Sequence, residues 1–182
     1  EWYKINRRDL PWRMTNNPYN IWVSEIILQQ TRIDQGTPYY LNFIDKFPNV
    51  KKLAESTLDE LMKVCQGIGY YSRIVNMHKC AKIVVSEYNS NFPSKYDKLL
   101  SLPGIGDYTA SAISSICSGE SKMVVDGNVI RLFSRLYNLN YQQHSSMMKK
   151  TIKKIGEKEI LKFKSGDFNQ ALMDYGSMIC SP

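Results

Sequence analysis

The sequence predicts an all-α protein, and three observations carry this prediction. Apolar residues recur at spacings of three and four along most of the chain, as they do on one face of a helix. The alternation of apolar and polar residues that is typical of strands is nearly absent. The gaps between the helical patterns are short, as in helical bundles, so we expect about ten helices.

The clearest helix signals lie in the first half of the chain. Asn17-Pro18 is an N-cap residue followed by a favoured first helical residue, and the apolar run 21–28 then surrounds the helix axis, so this helix should be buried. A capping box at 57–60 opens a short helix that ends at Gly67. Residues 73–88 form an amphipathic pattern. Further helices fit residues 96–101, 107–117, 127–137, 145–155 and 168–179.

Composition excludes several classes of protein. A hydrophobic share of 43% is too high for a disordered chain, and 182 residues suit one domain or two small lobes. The apolar run 21–28 is far shorter than the roughly 20 residues of a membrane span, which argues against a membrane protein. No cysteine pair has metal-binding spacing, and nothing requires disulfides, so we expect an intracellular setting. The net charge of +7 is compatible with binding to phosphates.

The chain start gives a further expectation. The first residue is Glu1, with neither a methionine nor the apolar core of a signal peptide, so we expect the sequence to begin inside a longer chain.

Two glycine-rich turns resemble each other. The segment 67–72 (GIGYYS) is repeated as 104–109 (GIGDYT), and in each case a helix follows the turn. Such turns expose backbone N–H groups and the positive end of the helix dipole, where a phosphate oxygen can bind. Two roles remain open for each turn: it can bind a phosphate, or it can simply close a helical hairpin. The dinucleotide-binding fingerprint is a poor match, since a preceding strand and a third glycine are missing.

Two carboxylates are candidates for chemistry. Glu25 lies in a strongly apolar helix, with Trp22 and Leu28 at three-residue spacing. Desolvation would raise its pKa and let it act as a general acid; the alternative is a rim carboxylate that pairs with a lysine. Asp126 follows an apolar run and precedes Gly127, as an N-cap does. Capping is compatible with catalysis, because a capping carboxylate stays ionised and can face a developing cation.

Six segments of the chain, taken together, resemble adenine DNA glycosylases of the MutY type, within the helix-hairpin-helix glycosylase superfamily. The similarity covers nearly the whole chain in order. It implies an all-α helix-hairpin-helix glycosylase fold with two lobes that flank a DNA-binding cleft: a six-helix barrel over 20–120, and a second lobe from 1–19 with 121–182. The segments are 10–13 (LPWR), 22–31 (WVSEIILQQT), 67–73 (GIGYYSR), 102–106 (LPGIG), 125–129 (VDGNV) and 168–174 (FNQALMD).

The resemblance implies a reaction and a role for each matching residue. The reaction is hydrolysis of the N-glycosidic bond of adenine mispaired with 8-oxoguanine or guanine, after the base is flipped out of double-stranded DNA. Glu25 matches the general acid and Asp126 the carboxylate that stabilises the sugar cation. The remaining matches support these carboxylates (Tyr108, Asn128), line the adenine pocket (Trp12, Arg13, Leu28, Gln170), wedge into the base stack (Gln30, Tyr70), anchor a phosphate (Gly104, Gly106), or offer carbonyls to an alkali cation (Leu100, Leu102, Ile105).

One position separates this branch from its relatives. Bifunctional lyases of the superfamily carry lysine where Tyr108 stands, and only an amine forms the Schiff base that leads to strand cleavage. We therefore expect a monofunctional glycosylase. Thymine glycosylases that act on T:G mispairs also carry tyrosine there, so that activity is the near alternative, and a non-catalytic DNA-binding module is a third.

The cofactor implied by the family is a [4Fe–4S] cluster held by four cysteines. Cys180 matches the first of these ligands, and the sequence stops two residues later. We expect either that the remaining ligands lie beyond this sequence or that the protein belongs to a group without the cluster; one thiolate cannot hold it. His78 and His144 have no ligand-spaced partners, and neither is assigned to a metal. We also expect a monomer, in the cytoplasm or nucleoid of a bacterium or in the nucleus or mitochondrion of a eukaryote.

Overall fold

The computed structural model describes residues 1–140 and 145–181, and within these residues it contains helices and no strand, which confirms the predicted fold class. Two short 3-10 turns lie at Pro11–Arg13 and Ile160–Lys162. The α-helices of the described residues are α1 (Trp2–Asn6), α2 (Pro18–Ile27), α3 (Ile33–Lys46), α4 (Val50–Glu55), α5 (Leu58–Val64), α6 (Tyr71–Glu87), α7 (Tyr96–Leu100), α8 (Asp107–Ser118), α9 (Gly127–Leu136), α10 (Ser146–Glu159) and α11 (Ser165–Met178).

Side-chain caps start three of these helices where the sequence predicts them. The Asn17 side chain accepts a hydrogen bond from the Tyr19 amide at 2.9 Å and starts α2. The capping box of α5 is complete, because the Thr57 hydroxyl accepts from the Glu60 amide and the Glu60 carboxylate accepts from the Thr57 amide. Asp126 caps α9. These starts depend on chemistry within four residues, which a sequence shows directly.

The structure adds three helices that the sequence analysis did not predict, α1, α3 and α4. Helix α3 contains Pro38, which removes one backbone donor from the second turn. Burial of Tyr40 and Phe43 on one face of α3 compensates for this loss, since both are at most 3% exposed. Packing against the rest of the fold therefore stabilises a helix that local sequence signals disfavour.

The described chain divides into two compact units, and the first unit is Leu10–Ile113. In this unit α6 packs against α4 and α5, and α2 packs against α3. The buried residues of α2 include Trp22 and Ile27, so the prediction of a buried helix is confirmed. The Tyr19 hydroxyl donates to the Phe47 carbonyl at 2.6 Å and ties the start of α2 to the end of α3. The helix that carries Glu25 thus lies in the core of this unit.

The second unit consists of Glu1–Asp9 and of the residues from Ser114 onward. Its core lies between α9, α10 and the loop that precedes α9. The buried residues of this core include Met123, Val129, Phe133, Met148 and Ile152. The unit boundaries fall at other residues than those of the predicted lobes, 20–120 and 1–19 with 121–182; the predicted division into folding lobes stays a prediction.

A partly buried ion pair joins the N-terminal and C-terminal segments of the second unit. Arg8 donates from Nε to Oδ1 of Asp174 at 2.7 Å, and the Asp174 side chain is fully buried. This pair fixes the N-terminal segment to α11, which carries Gln170. In the part of the chain that the structure describes, no helix combines the length and apolar character needed to cross a membrane.

Candidate functional site

Asp126 is held by hydrogen bonds to both of its carboxylate oxygens. Oδ1 accepts from the Val129 amide at 2.7 Å, and Oδ2 accepts from the Asn128 side-chain amide at 2.9 Å. The side chain is half-buried at the N-terminus of α9, where the helix dipole favours negative charge. Both donors are N–H groups, to which an ionised carboxylate binds more strongly than a neutral acid. The structure therefore fixes the orientation of this carboxylate, and its role toward a developing cation stays a prediction.

A chain of hydrogen bonds continues from Asp126 through Asn128 to Arg131. Asn128 Oδ1 accepts from Arg131 Nη2 at 3.0 Å, and Arg131 Nε donates to the Cys180 carbonyl at 2.6 Å. Arg131 Nη2 also donates to the Gly176 carbonyl. Arg131 is not among the residues predicted from the sequence, although its position three residues after Asn128 on one helix is a usable signal. The backbone at Cys180 is thus connected to the residue that orients Asp126.

Asn169 supports the segment that leads to Asp126. Its side chain is 1% exposed, its Oδ1 accepts from the Val124 amide at 3.0 Å, and its Nδ2 donates to the Lys122 carbonyl at 2.8 Å. Nδ2 also donates to the Ser115 hydroxyl at 2.9 Å. All of these partners lie more than forty residues away along the chain, so only the folded structure identifies the role of Asn169.

Glycine 176 lets α11 approach the start of α9 closely. A Cβ atom added at Gly176 would lie 2.9 Å from the backbone oxygen of Asn128, a distance that Cβ contacts essentially never show. Gln170, on the same helix, accepts a hydrogen bond from the Tyr3 hydroxyl at 2.7 Å through Oε1. Its half-buried amide is therefore oriented, as a side chain that reads a base edge would need to be.

Glu25 lies on the less buried side of α2. Its neighbours Ser24 and Ile26 are at most 2% exposed, whereas Glu25 itself is half-buried. Leu28 follows as the half-buried C-cap residue of the same helix. Glu25 is thus partly exposed on a helix whose adjacent residues are buried. Its role as a general acid stays a prediction.

The two candidate wedge residues share an uncommon backbone conformation. Gln30 has φ of 58° and Tyr70 has φ of 48°, both in the left-handed region that non-glycine residues rarely adopt. Both residues are exposed, and the Tyr70 side chain is 64% exposed. They belong to the same unit, one after α2 and the other before α6.

The second glycine turn requires glycine at its first position. Gly104 has φ of 78°, and a Cβ there would lie 2.8 Å from the Cβ of Asn76 on α6. Gly106 differs, because its φ is not positive; its carbonyl accepts from the Ala110 amide at 2.9 Å and begins α8. Buried small residues then line α8, namely Ala110, Ser111, Ala112 and Ser114.

Other predicted residues lie around this turn. Tyr108 is half-buried in the first turn of α8. The Leu102 carbonyl accepts from the Ile105 amide at 3.2 Å, which leaves one lone pair for a further contact. The predicted cation site at Leu100, Leu102 and Ile105 stays a prediction.

Trp12 is a buried residue of the N-terminal 3-10 turn. It is 6% exposed in the turn Pro11–Arg13 and packs edge-on against Tyr40, with ring centroids 5.2 Å apart. Burial raises the pKa of Tyr40 to about 12. Arg13 beside it is half-buried. The pocket roles of both residues stay predictions.

The residues present do not fit an iron–sulfur cluster. Among residues 1–140 and 145–181, no group of three or more histidine, cysteine, aspartate or glutamate side chains is placed to hold a metal ion. Cys180 Sγ instead accepts from Arg135 at 3.3 Å. Burial raises the pKa of the thiols of Cys65, Cys80 and Cys117 to about 12, which disfavours the thiolate that binds metals. His78 Nε2 lies 2.9 Å from the Ser56 carbonyl, and His144 lies outside the described residues.

Comparison with known proteins gives a family match over most of the chain. Residues 23–158 match the family described as "HhH-GPD superfamily base excision DNA repair protein". Glu25, Tyr108, Asp126 and the two glycine turns lie within this range. Relatives named adenine DNA glycosylase match along the whole chain, with 41% identity over 98% of it for Buchnera aphidicola subsp. Baizongia pistaciae and 36% identity over 100% for Homo sapiens.

The chain spans 51% of the length of the Buchnera relative and 35% of the human one. Among solved structures, a thermostable thymine-DNA glycosylase matches with a TM-score of 0.90 and 29% identity, over 100% of this chain and 83% of that one. A trapped covalent intermediate of endonuclease III with DNA matches with a TM-score of 0.80 and 21% identity, over 100% of this chain and 82% of that one. The second similarity shows the shared fold alone.

Proposed function

Since this chain belongs to the HhH-GPD superfamily of base excision DNA repair proteins, we propose that it releases adenine mispaired with 8-oxoguanine or guanine in double-stranded DNA. The observation that carries the proposal is that relatives named adenine DNA glycosylase match 98% to 100% of the chain at 41% and 36% identity. The fixed carboxylate of Asp126 supports a glycosidic reaction in particular.

The proposed reaction begins with a base that has been flipped out of the duplex. Glu25 donates a proton to the adenine ring. The protonated base is a better leaving group, because it departs as neutral adenine and not as an anion. As the bond from C1′ to the base breaks, positive charge develops on the sugar, and the negative charge of Asp126 stabilises it. Water then adds to C1′ and its released proton restores the acid form of Glu25, so the products are free adenine and an abasic site in an intact strand.

Supporting residues complete the proposed mechanism. Asn128 and Arg131 hold Asp126 in one orientation, and Gln170 and Arg13 offer an amide and a guanidinium to the base edge. Tyr108 lacks an amine, so no Schiff base forms and strand cleavage is not part of the reaction. We propose double-stranded DNA as the partner, a monomeric protein, and a location in a DNA-containing compartment.

The test compares four duplexes that carry A:8-oxoguanine, A:G, T:G or A:T at one position. We expect adenine release from the first two, and we expect Glu25→Gln to bind the same duplexes while releasing adenine at least about 10²-fold more slowly, the lower end of general-acid effects. Glu87→Gln is the matched control, because Glu87 is an exposed glutamate on α6 and its variant should retain the wild-type rate.

Two other outcomes identify the competing functions. Release of thymine from T:G would favour a thymine glycosylase, which the TM-score of 0.90 to such an enzyme makes the second candidate. Binding of the mispaired duplexes without base release from any of them would favour a non-catalytic DNA-binding module. High-yield trapping of an enzyme–DNA adduct by borohydride would contradict the monofunctional assignment.

A further inference from the structure

Arg73 is a buried cation whose partners are backbone carbonyls. It lies near the start of α6, is 8% exposed, and donates from Nη1 to the carbonyl oxygens of Gln29 at 2.5 Å, Ile26 at 2.9 Å and Ile27 at 3.4 Å. Nη2 donates to the Ile68 carbonyl at 3.0 Å. Burial lowers the pKa of the guanidinium, and no carboxylate among the described residues pairs with it.

These four carbonyls belong to two segments that are distant in sequence. Two of them, on Ile26 and Ile27, lie in the last turn of α2, and the third, on Gln29, lies just beyond the C-cap residue Leu28. The C-terminal end of a helix carries partial negative charge, which favours a cation there. The fourth lies in the glycine turn between α5 and α6. One planar guanidinium therefore holds the end of α2 and the glycine turn at a fixed distance, which a single ammonium group cannot do with the same geometry.

Each segment leads directly into one of the left-handed residues. Gln30 follows Gln29, and Tyr70 lies two residues after Ile68. Left-handed backbone in non-glycine residues persists only where the surroundings impose it. Since the Tyr70 side chain is 64% exposed, packing of its ring does not supply this constraint. The Arg73 side chain donates hydrogen bonds to the backbone next to both residues, whereas backbone bonds such as that from the Arg73 amide to the Tyr70 carbonyl act within one segment.

We propose that Arg73 is a positioning residue that sets the spacing between Gln30 and Tyr70 before DNA binds. The inference rests on the proposed function, in which these two side chains insert into the base stack beside the flipped adenine. Insertion costs the unstacking of bases, and a pair of side chains that is already positioned loses less conformational entropy on binding. Arg73 contacts neither base nor sugar in this scheme, and acts only through the two backbone segments.

The first experiment measures the geometry without using activity. Amide hydrogen exchange is compared between wild type, Arg73→Met, Arg73→Lys and the control Lys79→Met, which removes an exposed cation from the same helix. We expect Arg73→Met to speed exchange in both 28–31 and 67–70 by at least about tenfold while α4 is unchanged, because local opening needs no global unfolding. Exchange at wild-type rates in both segments would overturn the proposal. Circular dichroism verifies folding, and if Arg73→Met does not fold, Arg73→Lys carries the same test.

The second experiment asks whether Arg73 acts through the wedge residues. Under single-turnover conditions with an A:8-oxoguanine duplex, we expect Arg73→Met to slow adenine release about tenfold, within the roughly 10²-fold that small misplacements cost. In a variant that already carries Gln30→Ala and Tyr70→Ala, the same substitution should slow release less than about twofold. The side chains through which Arg73 acts are then absent, so the effects of the substitutions are not additive. Equal slowing in both backgrounds would show a general structural role and overturn the proposal. If wild type releases no adenine, the proposed function fails, and the exchange experiment still tests the positioning.

Discussion

At the scale of single residues, buried polar side chains decide where the candidate catalytic groups lie. Both N–H donors of the Asn169 amide are used, on Lys122 and Ser115, and its oxygen accepts from Val124; Arg131 connects Asn128 to the backbone at Cys180. A buried polar group that lost its partner would cost about 1–3 kcal/mol, so these contacts are expensive to break. The position of Asp126 is therefore set by groups that take no part in the proposed chemistry.

Capping and catalysis by Asp126 are separable by substitution. Asp126→Asn keeps an oxygen that can accept from the Val129 amide but loses the acceptor for Asn128, so we expect it to lose less free energy of unfolding than Asp126→Ala, which should lose about 1 kcal/mol or more. Both variants lack the negative charge, so both should lose adenine release. Urea unfolding and single-turnover assays measure the two effects.

The control for this pair is Asn49→Ala, which removes the cap of α4, where Asn49 Oδ1 accepts from the Lys52 amide at 3.0 Å. It should lose a similar free energy of unfolding, about 1 kcal/mol, and retain adenine release. Wild-type release by Asp126→Asn would mean that Asp126 acts only as a cap.

At the scale of elements, the sequence predicted helices whose ends are set by local chemistry. The caps at Asn17, Thr57 and Asp126 involve partners within four residues, and each is present in the structure. Helix α3 was missed because Pro38 is a local signal against it, while the burial that stabilises it depends on other helices. The sequence shows Arg73 only as the last residue of the motif 67–73, since its carbonyl partners at the end of α2 and just beyond it lie 44 to 47 residues away.

The contact between α9 and α11 gives a prediction at this scale. In Gly176→Ala, the added Cβ would lie 2.9 Å from the Asn128 backbone oxygen, so the helices must separate locally. Overpacking of this kind costs about 1–3 kcal/mol, and we expect the free energy of unfolding to fall by that amount. Adenine release should fall by more than the unfolded fraction explains, because Asn128 orients Asp126.

Gly127→Ala is the matched comparison for this substitution. A Cβ at Gly127 meets no atom within 4 Å, and alanine favours a helix more than glycine does, so its unfolding free energy should not fall. Urea unfolding of both variants provides the measurement, and equal stability of Gly176→Ala and wild type would refute the close approach.

At the scale of the whole molecule, the net charge of +7 and the folded core respond to different conditions. The charge favours association with phosphates at low salt, and this association weakens as added salt screens the charges. The exposed lysines of α10, among them Lys149, Lys150, Lys154 and Lys158, fit either a DNA-facing surface or a solvated helix face. The folded chain also holds cysteine thiols and a tyrosine hydroxyl in their neutral form, so its stability depends on pH in the alkaline range.

Stability should fall as the pH rises above about 9. Burial raises the pKa of the Cys65, Cys80 and Cys117 thiols from 9.0 to about 12, and that of Tyr40 from 10.0 to about 12. Between the unfolded and the folded pKa of each group, the folded chain binds more protons than the unfolded chain. The stability that the three thiols and Tyr40 contribute is therefore complete below pH 9 and is lost as the pH approaches 12. Each group contributes a slope of up to about 1.4 kcal/mol per pH unit. Urea unfolding at pH 8, 9, 10 and 11 measures this loss.

One thiol can be isolated from the others. Cys80 is fully buried on α6, so Cys80→Ala removes one raised pKa and should reduce the slope of unfolding free energy against pH between 9 and 11. Ser86→Ala, on the same helix and without a group that titrates, should keep the wild-type slope. The small cavity left by Cys80→Ala lowers stability equally at every pH, whereas the lost titration changes the slope, so the two effects separate. An unchanged slope in Cys80→Ala would mean that this thiol is not held in its neutral form by the fold.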